Sequence, residues 1–241
     1  YRMKLTSSFA DASYAGSGQI NRFFQDLRDI TLKRELPALF RDTLQVDHKG
    51  RYRIAFRCKD SMDLLAFVAP GLYISDSTSL DISVDTLGIF KADLRSPRVA
   101  FNENYIRNME FQMDNINGSL SGAVTGTTIN AASISLENNS FRIFAKDNFI
   151  GFGYTYENPG DLINRGEIFI TADISREEGD GVNYHVEMLP SRVLLNSREW
   201  NINHSAFDIR DRDLDIHKIE FTSGDQAIRL SGGYSRTQQD T

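Results

Sequence analysis

Asn108-Met109-Glu110-Phe111-Gln112-Met113-Asp114 alternates polar and apolar side chains without a break. A period of two sends successive side chains to opposite faces of an extended chain, so this stretch reads as a strand with one apolar and one solvated side. The same reading extends outward in both directions. Upstream, Leu80, Ile82 and Val84 alternate with Ser79, Asp81, Ser83 and Asp85. Downstream, Phe141, Ile143 and Ala145 alternate with Ser140, Arg142 and Phe144, and the pattern returns at Ile150, Phe152, Tyr154 and Tyr156. It continues at Ile168, Ile170, Ala172 and Ile174, then at Ile219 and Phe221, and ends at Ile228 and Leu230. About fourteen such segments, spaced at roughly 8–12 residues, read as an all-β meander. The fold is therefore predicted to be mainly β: an elongated, curled antiparallel sheet, trough-like or open-barrel-like, with a small helical section at its start. Stacked in one row, about fourteen strands span roughly 65 Å.

The 241 residues suffice for one large β domain or two smaller ones. A formal charge of -6 argues against nucleic acid as a partner, which calls for a clustered basic surface. The single cysteine, Cys58, makes no internal disulfide and anchors no zinc alone, and it reads as a small buried apolar residue. No apolar run reaches the length of a membrane span, and no segment reads as a signal peptide. With Tyr1 in first place and a polar Gln238-Gln239-Asp240-Thr241 end, the chain is expected to be a piece of a longer protein.

Residues 1–70 read as a mixed helix and strand section packed on the sheet, and residues 71–241 as the repetitive trough. Met3 to Ala10 suits a strand. Ile20, Phe23, Phe24, Leu27 and Ile30 have helical spacing. Pro37, followed by Leu39, Phe40 and Leu44, suits the start of a second helix. The strand Arg51 to Cys58 carries Tyr52, Ile54, Phe56 and Cys58 on one face and Arg51, Arg53 and Arg57 on the other. Asp60 suits an N-cap for a short helix through Leu64, Leu65 and Val68, stopped by Pro70-Gly71. Turns are expected at Asn115–Gly118, Lys146–Asn148, Pro159-Gly160, Glu177–Gly181, Arg210–Asp213 and Ser223–Gln226.

A catalytic constellation is hard to find, and no cofactor or metal is expected. His48, His185, His204 and His217 lie in separate segments without metal-ligand spacing, and His185 and His217 read as surface or satisfied side chains. Gly151-Phe152-Gly153 follows no phosphate-loop pattern and reads as close packing or a bulge. Asp208, Asp211, Asp213 and Asp215 form the densest acidic cluster, but Ile216 stands where a calcium loop needs glycine and Thr222 where it needs glutamate. A solvated strand edge is the simpler account. The sequons at Asn117, Asn138 and Asn203 are what chance provides in Asn- and Ser-rich turns. Arg51, Arg53 and Arg57 have two readings: contact with phosphate headgroups, which guanidinium grips bidentately, or an exposed strand face matched by acids on its neighbour.

The apolar face also has two readings, a covered core or a ligand groove. Its Met109, Met113, Phe111, Phe141, Phe152 and Phe221 are adaptable side chains that suit varied acyl chains and fill cores equally well.

Asp63 to Gly122 and Pro190 to Ser235 together resemble the TamB proteins of Gram-negative envelopes, within the broader AsmA-like group. The likeness rests on the strand with Trp200 and Ile202, then Asp215 to Phe221, then a strand from Gln226 closing in Leu230-Ser231-Gly232. The resemblance implies a non-enzymatic periplasmic protein, anchored to the inner membrane outside this segment. Its apolar trough would carry phospholipid between the two membranes, with a link to an outer-membrane assembly protein. The helical opening before Lys49 does not map onto that pattern. Two other classes suit the same alternation. One is a closed β-sandwich or solenoid that recognises glycan or protein through Tyr154, Tyr156 and Trp200. The other is a carbohydrate-active enzyme with two convergent carboxylates.

Overall fold

The computed structural model describes residues 1–18, 20–41, 50–60, 62–131, 134–158, 164–176, 181–195, 197–210 and 213–235. The first third of the chain holds β1 (Arg2–Thr6), β2 (Ala10–Gly16), α1 (Ile20–Arg28), β3 (Tyr52–Cys58) and α2 (Met62–Val68). Then come β4 (Leu72–Ile74), β5 (Ser79–Val84), β6 (Phe90–Phe101), β7 (Asn104–Asp114), β8 (Leu120–Ala131), β9 (Ile134–Lys146) and β10 (Phe149–Asn158). The last third holds β11 (Asn164–Arg176), β12 (Val182–Leu195), β13 (Arg198–Ile202), β14 (Ser205–Arg210), β15 (Asp213–Ser223) and β16 (Gln226–Tyr234).

All sixteen strands join one antiparallel sheet, curled but not closed into a barrel. β1, β2 and β3, from residues 1–70, are strands of this same sheet. From β5 to β12 each strand pairs with the next, the meander that short polar turns dictate. Asp147 and Asn148 join β9 to β10 with positive φ at both positions, the primed turn whose twist matches a hairpin. Asn115–Gly118 and Ser223–Gln226 also turn as expected, with Gly118 and Gly224 at positive φ. Pro159-Gly160, Glu177–Asp180 and Asp211-Arg212 lie outside the described residues.

Curling shows in what meets the helical segment. Phe23, Ile30 and Leu36 share one core cluster with Tyr14 of β2, Tyr52 of β3, Val84 of β5, Leu120 of β8, Ala145 of β9 and Ile174 of β11. Laid flat, β2 and β11 stand roughly 40 Å apart. They meet around one segment only because the sheet wraps it. We call the wrapped side the inner face.

The helical segment differs from its expected form in one respect. α1 gives way to a π turn at Asp29–Lys33, and Pro37–Leu39 is a single 3-10 turn rather than the start of a helix. The reason lies in its backbone partners. The Ala38 amide donates to Asn148 Oδ1 at 2.7 Å, and the Ala38 carbonyl accepts from Arg176 Nε at 2.9 Å. Phe40 is already extended. Leu44 lies outside the described residues.

Candidate functional site: a capped apolar trough

Register assembles the alternating strands into rows. One runs Tyr14, Ile54, Ile82, Ala92, Met113, Gly122, Ile143, Phe152, Ile170 and Met188, ten residues directly opposite one another across ten strands. The next runs Leu5, Ala12, Phe56, Leu80, Leu94, Phe111, Val124, Phe141, Tyr154 and Ile168. Together they form an apolar belt on the inner face, roughly 43 Å along its curve. Most of its side chains are half-buried, and Ile143 is exposed.

A third row nearer one rim is covered. Val84 is 2 % exposed, and Ile150 packs on the same cluster, beneath the helical segment. That segment is a cap. It is tied to the rim by Asn115 Nδ2 donating to the Ile30 carbonyl at 3.3 Å and by the Asn148 amide donating to the Glu35 carbonyl at 2.8 Å. A Tyr52 hydroxyl–Asp26 carboxylate hydrogen bond and the burial of Tyr52 hold the cap's other end, and the phenol is pushed up to about 12, by burial first. Val84 is buried beneath the cap; Tyr14 and Ala92 of the first row are buried in the same cluster, and Ile54, Ile82, Met113 and Phe111 of the two rows pack against it as Ile150 does, while the rest of the two rows extends beyond it.

Toward the other rim the face becomes aromatic and polar. Phe141 stacks on Tyr154 at 4.2 Å and Tyr154 on Tyr156 at 5.6 Å. Tyr154 donates to Asn139 Oδ1 at 2.7 Å, and burial pushes its phenol up to about 12. Tyr154 and Tyr156 therefore belong to the inner face, not to an exposed platform, and Trp200 lies opposite inner Val193. Met109 pairs with buried Ser96, whose hydroxyl bonds Thr78 at 2.6 Å. At the far end of the sheet Phe221 lies opposite Ile228, and Ile219 opposite Leu230. Ile228 and Leu230 are exposed on the edge strand β16, as Met3 and Leu5 are on the edge strand β1. Apolar side chains thus stand on both of these edge strands.

Arg51, Arg53 and Arg57 stand on the outer face. Arg53 lies opposite Ser83 and Ala15, and Arg57 opposite Ser79 and Asp11. They share a basin of about 630 Å³ with Lys91 and the carboxylates of Asp81, Asp85 and Asp93. The sheet itself separates them from the apolar lining.

Sequence spacing missed one cluster. β12 (His185), β15 (His217) and the link between β13 and β14 (His204) bring three of the four histidines together around Asp208 and Glu187, and His48 lies outside the described residues. Asp208 accepts from His185 Nδ1 at 2.6 Å and His217 Nε2 at 2.7 Å, while Glu187 lies 3.6 Å from His185 and 3.4 Å from His204. Hydrogen bonding to Asp208 raises the His185 pKa, and the two imidazoles hold the Asp208 carboxyl below its ordinary value. Among the described residues no group of three histidine, cysteine or acidic side chains is arranged to hold a metal ion. No protein-family model matches this chain, and neither a curated protein nor a solved structure resembles it significantly.

Proposed function

We propose that this chain is a non-enzymatic segment of a Gram-negative periplasmic envelope protein of the TamB kind. Its trough carries phospholipid acyl chains between the inner and outer membranes, in support of outer-membrane assembly. The observation that carries the reading is the pair of ten-residue apolar rows, mostly half-buried, that run without a break across ten strands each. An acyl chain laid along them gains about 0.8 kcal/mol for each methylene removed from water. Polar side chains border the rows without interrupting them, as passage of a chain requires.

Access to a membrane has its own support. The rim opposite the cap carries α2, where Phe67 is 86 % exposed and Met62 and Val68 more than half exposed, with exposed Phe101 at the adjoining end of β6. Behind this tip, Arg98 lies over the rings of Tyr73 at 5.7 Å and Tyr105 at 4.8 Å. Apolar tips backed by tyrosine and arginine suit the boundary between acyl chains and headgroups. Among the described residues no helix is long and apolar enough to cross a membrane. Mass spectrometry of an organic extract of the purified protein tests the reading. Phospholipid above the level of a β-protein control, and lost in Phe111→Asp, supports it. A clean extract from folded protein refutes it.

A further inference from the structure

Gly151 and Gly153 occupy outward positions of β10, and at residue 151 no folding constraint asks for glycine. Neither has positive φ, and β10 pairs with β9 and β11 without a register shift, so no bulge is present. A Cβ at residue 151 would meet only the Phe149 ring, at an ordinary 3.6 Å, whereas one at 153 would meet the Phe169 ring at 3.3 Å, a tight contact that shows this ring leaning over Gly153. Glycine inside a strand weakens it. Both glycines line the floor of a trench of about 540 Å³ on the outer face, open above Gly151 and partly covered by the Phe169 ring above Gly153.

The walls mix aromatic and polar side chains: Thr171 stands opposite Gly151 and Arg142 opposite Gly153, with Gln112, Asp114 and Ser121 farther along, but three large apolar groups stand where a solvated face would be polar throughout. Phe144 on β9 lies opposite Gly151, and Phe169 on β11 opposite Gly153, both more than a third exposed, with Leu189 beyond Phe169. β9 and β11 stand about 10 Å apart across β10; Phe144 and the Phe169 ring that leans over Gly153 are offset by two residues along β10, so one polymethylene chain laid over Gly151 would touch both. Every backbone group of the floor is committed to the neighbouring strands, so an extended peptide would find no ladder to join. A hydrocarbon chain needs none. Arg142, on the same wall as Phe144, lines the trench and forms no ion pair among the described residues.

We infer that this outer trench is a binding site for a single alkyl chain bearing a carboxylate, with the hydrocarbon over Gly151 against the Phe144 and Phe169 rings and the carboxylate on Arg142. It is separate from the trough, which lies on the other side of the sheet. The test is fluorescence titration with an anthroyloxy-labelled stearate, with palmitate and hexadecanol as competitors. Gly151→Leu should weaken the probe about tenfold or more, because each methylene kept from apolar contact is worth roughly fourfold. Arg142→Gln should weaken palmitate about fivefold and leave hexadecanol unchanged, since only the carboxylate uses the guanidinium. Phe111→Asp, on the inner face, should leave the probe bound. If Gly151→Leu does not fold, Phe144→Ser, on an exposed side chain, should show the same loss. No binding to the unaltered protein overturns the inference, as does a probe indifferent to the trench variants. A probe lost in Phe111→Asp alone overturns it too, and leaves the trough reading standing. Retained lipid in an extract of Phe111→Asp, with the trench variants behaving as stated, would instead refute the trough reading alone.

Discussion

Two adjacent phenylalanines test whether the cap is seated as described. Phe23 is fully buried, its ring edge-on to Tyr52 at 5.6 Å, whereas its neighbour Phe24 is 66 % exposed and touches it at 5.2 Å. Phe23→Ala removes a ring from the centre of a cluster that joins β2, β3, β5, β8, β9 and β11. Truncation of a buried phenylalanine costs about 3–5 kcal/mol, the lost transfer energy plus the cavity left behind. In a chain of this size that lowers the melting temperature by roughly 6–20 °C. Phe24→Ala loses one aromatic contact and little burial, and should cost no more than about 1 kcal/mol. Urea unfolding followed by tryptophan fluorescence and by far-ultraviolet circular dichroism measures both. Equal effects at the two positions, or a loss at Phe23 below about 1 kcal/mol, would refute the placement of the cap.

Other consequences are open to measurement. Phe111→Asp should keep the fold, since its side chain is only half-buried, and should lose co-purifying phospholipid; lipid content equal to the unaltered protein counts against the trough. Phe67→Glu should reduce flotation with phosphatidylcholine vesicles without shifting the melting temperature, and unchanged flotation removes α2 as a membrane tip. The Asp208 cluster, which Glu187 and Arg210 also approach, makes stability depend on pH. Asp208 is held below 3.8, chiefly by His185, so its contribution is present above that value and is lost as pH falls through the depressed pKa. His185 is raised above 6.5, chiefly by Asp208, so its contribution is complete below 6.5 and is lost as pH rises through the raised pKa. The melting difference between the unaltered protein and Asp208→Asn should therefore be greatest between 3.8 and 6.5 and shrink on both sides; a flat difference would show the cluster to be without effect.

Much of the trough was legible because alternation is local. Leu80, Ile82, Phe111, Met113, Phe141, Phe152, Ile168 and Ile170 all fall on the inner face, and the arginines of β3 fall on the other. Other features escaped for identifiable reasons. Ile106 and Met109 both point inward despite their odd spacing, because Asn108 between them takes a left-handed φ of 46° and resets the phase. Histidines 185 and 217 look solitary in a list of spacings, yet Asp208 bonds both across 23 and 9 residues of chain. Gly151 and Gly153 read as packing or a bulge, since sequence does not reveal whether the space above a strand is filled.

The order of residues alone determined the strands, the two chemistries of their faces and most of the turns, because each depends on neighbours only a few positions away. It did not determine what covers the apolar face. That was decided by contacts such as Asn148 with Ala38, 110 residues apart, and Arg176 with Ala38, 138 apart, which seat the helical segment over one rim. The curl of the sheet then sets which rows are covered and which stay open. Curvature is the sum of small twists at every strand pair, and so it belongs to the sheet as a whole and to no segment of the sequence.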